Sequence, residues 1–144
     1  MADTFIPPAY DRLTGLVEAA LGQSRVVRPA LHSRVIPHLP PIRRGPAEHV
    51  IRRIDRSGLF EPTALADLEA LLVQVECAVE QGTRDVFRAN ECDPGHGHVE
   101  RERTPAATEL AAAAVDLRDL HRRIGAALDA VEAVRIANRL AGEG

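Results

Sequence analysis

The chain has 144 residues, enough for one folded domain, and 45% of them are apolar, as in an ordinary globular protein. It contains no Trp, one Tyr and three Phe, so Leu, Val, Ile and Ala must build the core, which favours packed helices over sheets. The formal net charge of −3 indicates neither nucleic acid nor a membrane surface as the partner.

The two cysteines, Cys77 and Cys92, do not make a disulfide framework. No apolar run approaches the roughly 20 residues needed to cross a bilayer, and no secretory leader is visible. We therefore expect a soluble, cytoplasmic protein that has no membrane partner. Cys77 lies in an apolar helical pattern, so we expect it to be a small buried hydrophobic residue.

The N-terminal part is predicted to hold a tail, residues 1–8, and a subdomain of three short helices, residues 9–60. Apolar residues recur there at helical spacing. Glycine and proline set the predicted stops, because glycine often follows a helix end and proline cannot donate to the helical ladder. The predicted helices are 9–22, ending at Gly22, then 24–36, starting at Ser24, and 45–58, starting at Gly45–Pro46.

Residues 61–144 are predicted to fold into one long antiparallel helical hairpin. Its first helix begins near Pro62 and runs to about Asn90, with Gly82 as a weak point that kinks it or ends it early. A polar connection follows. Thr104–Pro105 then gives an N-cap and a proline at the first helical position of the last helix. The predicted fold is therefore all-α, a single domain of about five helices.

The last helix carries the most regular pattern in the sequence, an apolar residue every seven positions over four repeats. Such a seam is typical of a coiled coil or a helical bundle. It also looks too long for three short helices to cover, so we expect part of it to bind a partner or a second copy. The predicted interface residues are Leu110, Leu117, Leu120, Ile124 and Val131.

Charge is segregated along the chain. Residues 25–56 contain eight Arg against two acids, a net of +6, and residues 61–100 contain nine acids against two Arg, a net of −7. One interpretation is internal neutralisation, and the other is a basic face for an acidic protein or a nucleic acid. The basic segment lacks aromatic residues for base stacking, which disfavours nucleic acid. The candidate binding residues are Arg43, Arg44, Arg52, Arg53 and Arg56.

The polar connection holds a second candidate site, because Cys92, His96 and His98 offer thiolate and imidazole ligands of the kind that zinc binds. Their spacing matches no standard paired motif, and a solvated loop is the competing interpretation. No phosphate-binding loop, dinucleotide fingerprint or zinc-protease motif is present. We therefore expect neither a cofactor nor an enzymatic activity, although a helical bundle can assemble a site from scattered residues.

Residues 13–75 resemble a known family in the order of their short motifs. The motifs are the segment 16–21 (LVEAAL), Arg-Pro-Ala-Leu at 28–31, Leu-Pro-Pro-Ile at 39–42, the segment 48–54 (EHVIRRI), and Gly58–Leu59. This order resembles the effector-associated domains of bacterial conflict and signalling systems, which are small helical adaptors comparable to death-fold domains. The resemblance implies recruitment of a partner through like-with-like contacts and carries no catalytic residues. The chain departs from the family pattern in having only Gly58 where a double-glycine turn is expected.

The sequence thus favours a non-enzymatic protein–protein interaction module, an adaptor or an oligomerising subunit. A nucleic-acid-binding regulator that uses the Arg-rich segment is the first alternative. A metal-binding or enzymatic helical bundle that uses the loop 91–100 is the second. The expected partner is another protein or a second copy of the chain.

Overall fold

The computed structural model describes residues 8–58 and 60–143, which are mostly helical, as predicted. The predicted tail lies outside the described residues except for Pro8. Within the described ranges no helix is long and apolar enough to cross a membrane. The elements in chain order are α1 (Pro8–Ala30), α2 (Pro41–Ser57), α3 (Pro62–Gln81), β1 (Thr83–Ala89), β2 (Gly97–Arg103) and α4 (Pro105–Glu143).

Helix α1 is continuous where the sequence predicts two helices, so the predicted stop at Gly22 and restart at Ser24 are wrong. One buried stripe continues on both sides of Gly22, which is itself exposed, and packs on α4. Packing along this stripe outweighs the roughly 1 kcal/mol that a glycine costs inside a helix. The stripe consists of Ala20, Ser24, Val27, Leu31 and Val35, each at most 5% exposed.

A widened, π-helical turn, Leu31–Val35, follows α1 directly and leads into a short 3-10 turn. The N–H of Ile36 donates to the carbonyl of Leu31, five residues back. Pro29, which has no N–H to donate, stands just before this turn. Helix α2 begins at Pro41, earlier than predicted, because proline suits the first position of a helix.

Helices α3 and α4 pack antiparallel, as predicted. A carboxylate oxygen of Glu76 lies 2.5 Å from Arg118 Nη2, and one of Glu69 lies 3.1 Å from His121 Nε2. Helix α1 packs on α4 as well, and α2 packs on α3. The residues at the centre of this core are each at most 2% exposed, and they include Val27, Val35, Leu39, Leu68, Leu71, Val75, Leu110, Leu117, Leu120 and Ile124.

Helix α3 ends at Gln81, just before the predicted weak point at Gly82, so the end predicted near Arg88 or Asn90 is wrong and the early end is the correct alternative. The chain turns at Gly82, whose N–H donates to Ala78 O at 3.0 Å, and then forms a two-stranded antiparallel hairpin. A side chain at Gly82 would collide with Ala107, since an ideal Cβ there lies 2.7 Å from Ala107 Cβ. The described residues thus form four α-helices rather than five, because the first two predicted helices are joined in α1, and a small sheet replaces the predicted end of α3 and the polar connection.

Two glycine substitutions test these boundaries. Gly22→Ala places a methyl group in open space inside α1, so we expect the free energy of unfolding to rise by about 0.5–1 kcal/mol. Gly82→Ala is the matched comparison, and we expect it to lose about 1–3 kcal/mol because the methyl group overpacks the contact with Ala107. Urea unfolding followed by circular dichroism measures both. Loss of stability in Gly22→Ala would mean that the helix ends there.

Candidate interaction site

The hairpin arm, residues 83–103, leaves the helices at the junction of α3 and α4. Its strands are seven residues each and pair in a register that sets Phe87 opposite Val99. A loop from Asn90 to His96 joins them, closed by the N–H of Asn90 donating to His96 O at 2.8 Å. Apart from three partly buried positions near its base, every residue of the arm past Gly82 is exposed.

One face of the hairpin arm is closed by ion pairs between neighbouring side chains. Arg88 contacts Glu102 directly and lies 3.5 Å from Glu100, and His98 Nε2 lies 2.7 Å from Glu100 Oε1. The hydrogen bond with His98, aided by Arg88, holds the pKa of Glu100 below its usual value. Since these groups satisfy one another in water, this face offers little to a partner.

The opposite face of the hairpin arm carries an apolar pair. Phe87 is 56% exposed and Val99, directly across from it, is 64% exposed. The Phe87 ring lies over Gly97, where an ideal Cβ would come within 2.8 Å of the ring. Cross-strand apolar pairs stabilise a hairpin, but an isolated pair of strands is marginal in water. This exposed pair is the clearest apolar contact point on the arm.

The base of the hairpin arm adjoins an open groove between α3 and α4. The groove has a volume of about 410 Å³. Its apolar part includes Val115, which is 60% exposed, and its polar part includes the ion pair of Glu76 and Arg118. We call this surface the α3–α4 groove, lined by Glu76, Val79, Arg103, Ala111, Ala114, Val115 and Arg118.

Four of the five predicted interface residues are not available to a partner. Leu110, Leu117, Leu120 and Ile124 are each at most 1% exposed, because α1 and α3 cover the seam within the same chain. Only Val131 is partly exposed. The seam is therefore the core of the domain, and a partner surface has to be sought elsewhere.

The basic segment is largely occupied by contacts within the chain. Arg53 Nη2 lies 2.8 Å from the carboxylate of Asp67, which is only 6% exposed. Arg43 donates to Gln74 at 2.8 Å, and Arg44 donates to backbone carbonyls. All of the candidates except Arg43 are exposed; Arg52 lies 3.9 Å from Glu48, and Arg56 has no ion-pair partner among the described residues. These contacts favour internal neutralisation over a basic docking face.

The predicted metal ligands are not brought together. Cys92 is exposed, His96 Nδ1 pairs with Asp93 at 2.6 Å, and His98 lies on a strand beside Glu100. No group of three or more potential ligands is found in the part of the chain that the structure describes. Cys77, expected to be buried, is exposed as well.

No protein family, curated protein or solved structure matches this chain. The functional assignment therefore rests on the contacts and exposure of its own residues. Of these, the hairpin arm and the groove at its base form the most distinctive exposed surface. The sequence signal for the arm is the turn Asp93–Pro94–Gly95, which lies between two short stretches that place charged and uncharged side chains in mixed order.

The position of Gly97 yields a test of the hairpin arm. A Cβ at Gly97 would lie 2.1 Å from Arg88 O and 2.8 Å from the Phe87 ring, so we expect Gly97→Ala to disrupt strand pairing. Gly95→Ala is the control, because its Cβ meets only Asp93 Oδ1 at 3.6 Å. Amide hydrogen exchange should quicken at least tenfold across residues 83–103 in Gly97→Ala alone. Equal exchange in the two variants would contradict this register.

Proposed function

We propose that the protein is a non-enzymatic protein–protein interaction module that self-associates through the hairpin arm. The observation that carries this proposal is the exposed pair of Phe87 and Val99 on an arm whose residues are almost all in contact with solvent. A segment that buries so little within its own chain gains stability by burying its apolar face elsewhere.

The occupant we assign to this face is a second copy of the chain. A symmetric interface must be complementary to itself, so it cannot carry an excess of one charge. The hairpin arm contains four Arg against five acids and is nearly neutral, and the ion pair of Glu76 and Arg118 in the groove is neutral too. Two copies therefore meet without net repulsion.

The size of the surfaces favours a reciprocal arrangement. One face of the hairpin arm measures about 24 Å by 10 Å, far below the roughly 800 Å² per partner of a stable interface. On α4 the lining of the α3–α4 groove runs for about 10 Å, from Ala111 to Arg118 at about 1.5 Å per residue, and Arg103 continues it to the base of the arm. If each arm lies in the groove of the other copy, the dimer contains two equivalent contacts between an arm and a groove. The dimer then uses Val115 as well as Phe87 and Val99.

The charged edges of the arm support packing through its face. Both outer edges of the two-stranded sheet have unpaired backbone groups, which invite a further strand. Charged side chains at alternate positions discourage such pairing, and antiparallel alignment of two β1 strands about Val86 would set Arg84 against Arg88. Contact through Phe87 and Val99 avoids this repulsion.

The resemblance of residues 13–75 to effector-associated domains supports the biological role that we propose for this self-association. Those adaptors act through contacts between like modules, as proposed here. On this basis the chain would serve as an adaptor or oligomerising subunit in a bacterial signalling or defence system. A like module on another protein would then be the partner that the assembled chain recruits.

Two valine substitutions of the same kind test the dimer. Val99→Thr keeps the shape of the side chain and the strand preference, but it places a hydroxyl group in the proposed contact. Val26→Thr is the matched control, because Val26 is 62% exposed and lies on α1, away from the arm. We expect the dimer dissociation constant, measured by sedimentation velocity, to rise about tenfold in Val99→Thr and more in Phe87→Ser.

Val26→Thr should leave that dissociation constant unchanged. Circular dichroism confirms that each variant retains its helices. A wild-type chain that remains a monomer at several hundred micromolar would contradict self-association. Equal weakening by Val99→Thr and Val26→Thr would contradict the assignment of the contact to the arm.

A further inference from the structure

A cavity of about 220 Å³ lies where all four helices meet, far from the hairpin arm. Its inner wall is purely aliphatic and comes from every helix or from the turn after α1. These residues are each at most 5% exposed, so they form a buried floor. They are Leu31, Ile51, Ile54, Leu68 and Leu120.

The mouth of this cavity is polar and mainly basic. Arg28 and His32 lie there with Asp55, which forms an ion pair with Arg28. The pair is almost half exposed, at 47% and 42% of the two side chains, so it is accessible to a ligand. The guanidinium of Arg28 and the imidazole of His32 are the side-chain hydrogen-bond donors that the mouth offers to an anionic group.

The backbone beside the cavity is distorted. The π-helical turn, Leu31–Val35, contributes Leu31 and His32 to the lining, and Pro29 lines the wall just before it. Widened turns of this kind are uncommon and occur often at functional sites. Here the turn sets a floor residue, Leu31, next to a mouth residue, His32. The distortion and the cavity are thus independent observations that indicate the same place.

We propose that this cavity binds a small amphiphilic carboxylate, an apolar ring or short chain with one anionic head. An apolar cavity of about 150 Å³ holds benzene, so a cavity of 220 Å³ accommodates a ring and two or three further atoms. The apolar body lies against Leu68 and Leu120, and the head accepts hydrogen bonds from Arg28 and His32 at the mouth. The guanidinium of Arg28 then shares its donors between the ligand and Asp55.

This inference does not depend on self-association. The cavity and the hairpin arm share no residue, so failure of one leaves the other standing. The cavity is small for a ligand site, which predicts weak binding to a molecule of this size. We expect a dissociation constant of about 0.1–1 mM for a ligand with about eleven non-hydrogen atoms.

The probe is 3-phenylpropionate, added to the ¹⁵N-labelled full chain and followed by amide chemical shifts. Two comparison compounds separate the parts of the ligand: 3-phenylpropan-1-ol has the same apolar body without the charge, and propionate has the head alone. We expect shifts centred on Leu31, Ile51 and Leu68 with 3-phenylpropionate, about tenfold weaker binding of the alcohol, and none of propionate. Absence of shifts at 5 mM, or shifts centred elsewhere, would overturn the site.

Three variants sharpen the test. Arg28→Gln should weaken binding of the carboxylate about tenfold and leave binding of the alcohol unchanged. Arg25→Gln is the matched control, an exposed Arg on the same helix that does not line the cavity, and it should change neither. Ile54→Phe fills the cavity and should abolish binding of both compounds in a chain that still melts cooperatively. Unchanged carboxylate affinity in Arg28→Gln would overturn the role of the head group.

Discussion

Burial of the apolar stripe on α4 is the constraint on which the rest of the structure depends. This helix is 39 residues long, and no single neighbour is long enough to cover it. Helix α3 covers its first half, and α1 with the following turns covers the remainder. Each Leu or Ile buried in this way contributes roughly 1.5–3 kcal/mol. Alanines such as Ala107, Ala113 and Ala127 let the neighbouring helices approach closely.

This use of α4 decides which surfaces remain for a partner. A seam that is already filled by α1 and α3 cannot also bind a second chain, so the association that we propose uses surfaces at the periphery of the seam. The hairpin arm leaves the core through a narrow neck, where the N–H of Thr104 donates to Gly82 O at 2.9 Å. Beyond that neck the chain has little to pack against. The buried apolar side chains thus lie on the helices, whereas Phe87 and Val99 on the arm remain exposed.

Much of the helical framework could be predicted from the sequence. Thr104 caps α4 as expected, accepting a hydrogen bond from the N–H of Ala107 at 3.1 Å, and Pro105 is its first residue. The starts of α3 at Pro62 and the end of α2 before Gly58 also agree. These signals are local, because caps, prolines and apolar spacing act within a few residues. The local sequence therefore sets these helix ends, whatever the helices pack against.

The parts that could not be predicted depend on contacts between distant segments. The local sequence predicts a helix end at Gly22, but packing of the buried residues of α1 on α4 keeps the helix continuous there. Val86 follows Val79 by seven residues, an apolar spacing that suits a continued helix, yet pairing with Glu100 places it in a strand. The sequence alone predicts an interface at the seam on α4, because only the tertiary structure shows that α1 covers this seam. The cavity, to which four helices contribute, has no sequence signal at all.

We propose that the helices are stabilised by contacts within one chain, whereas the hairpin arm is stabilised only when two copies assemble. Amide hydrogen exchange of the wild-type chain, measured at micromolar and at high micromolar concentration, tests this most directly. We expect slow exchange across Leu110–Ala127 at both concentrations. We also expect exchange across the strand pair Thr83–Ala89 and Gly97–Arg103 to slow severalfold as concentration rises. Concentration-dependent protection in α4, with an arm that does not respond, would contradict it.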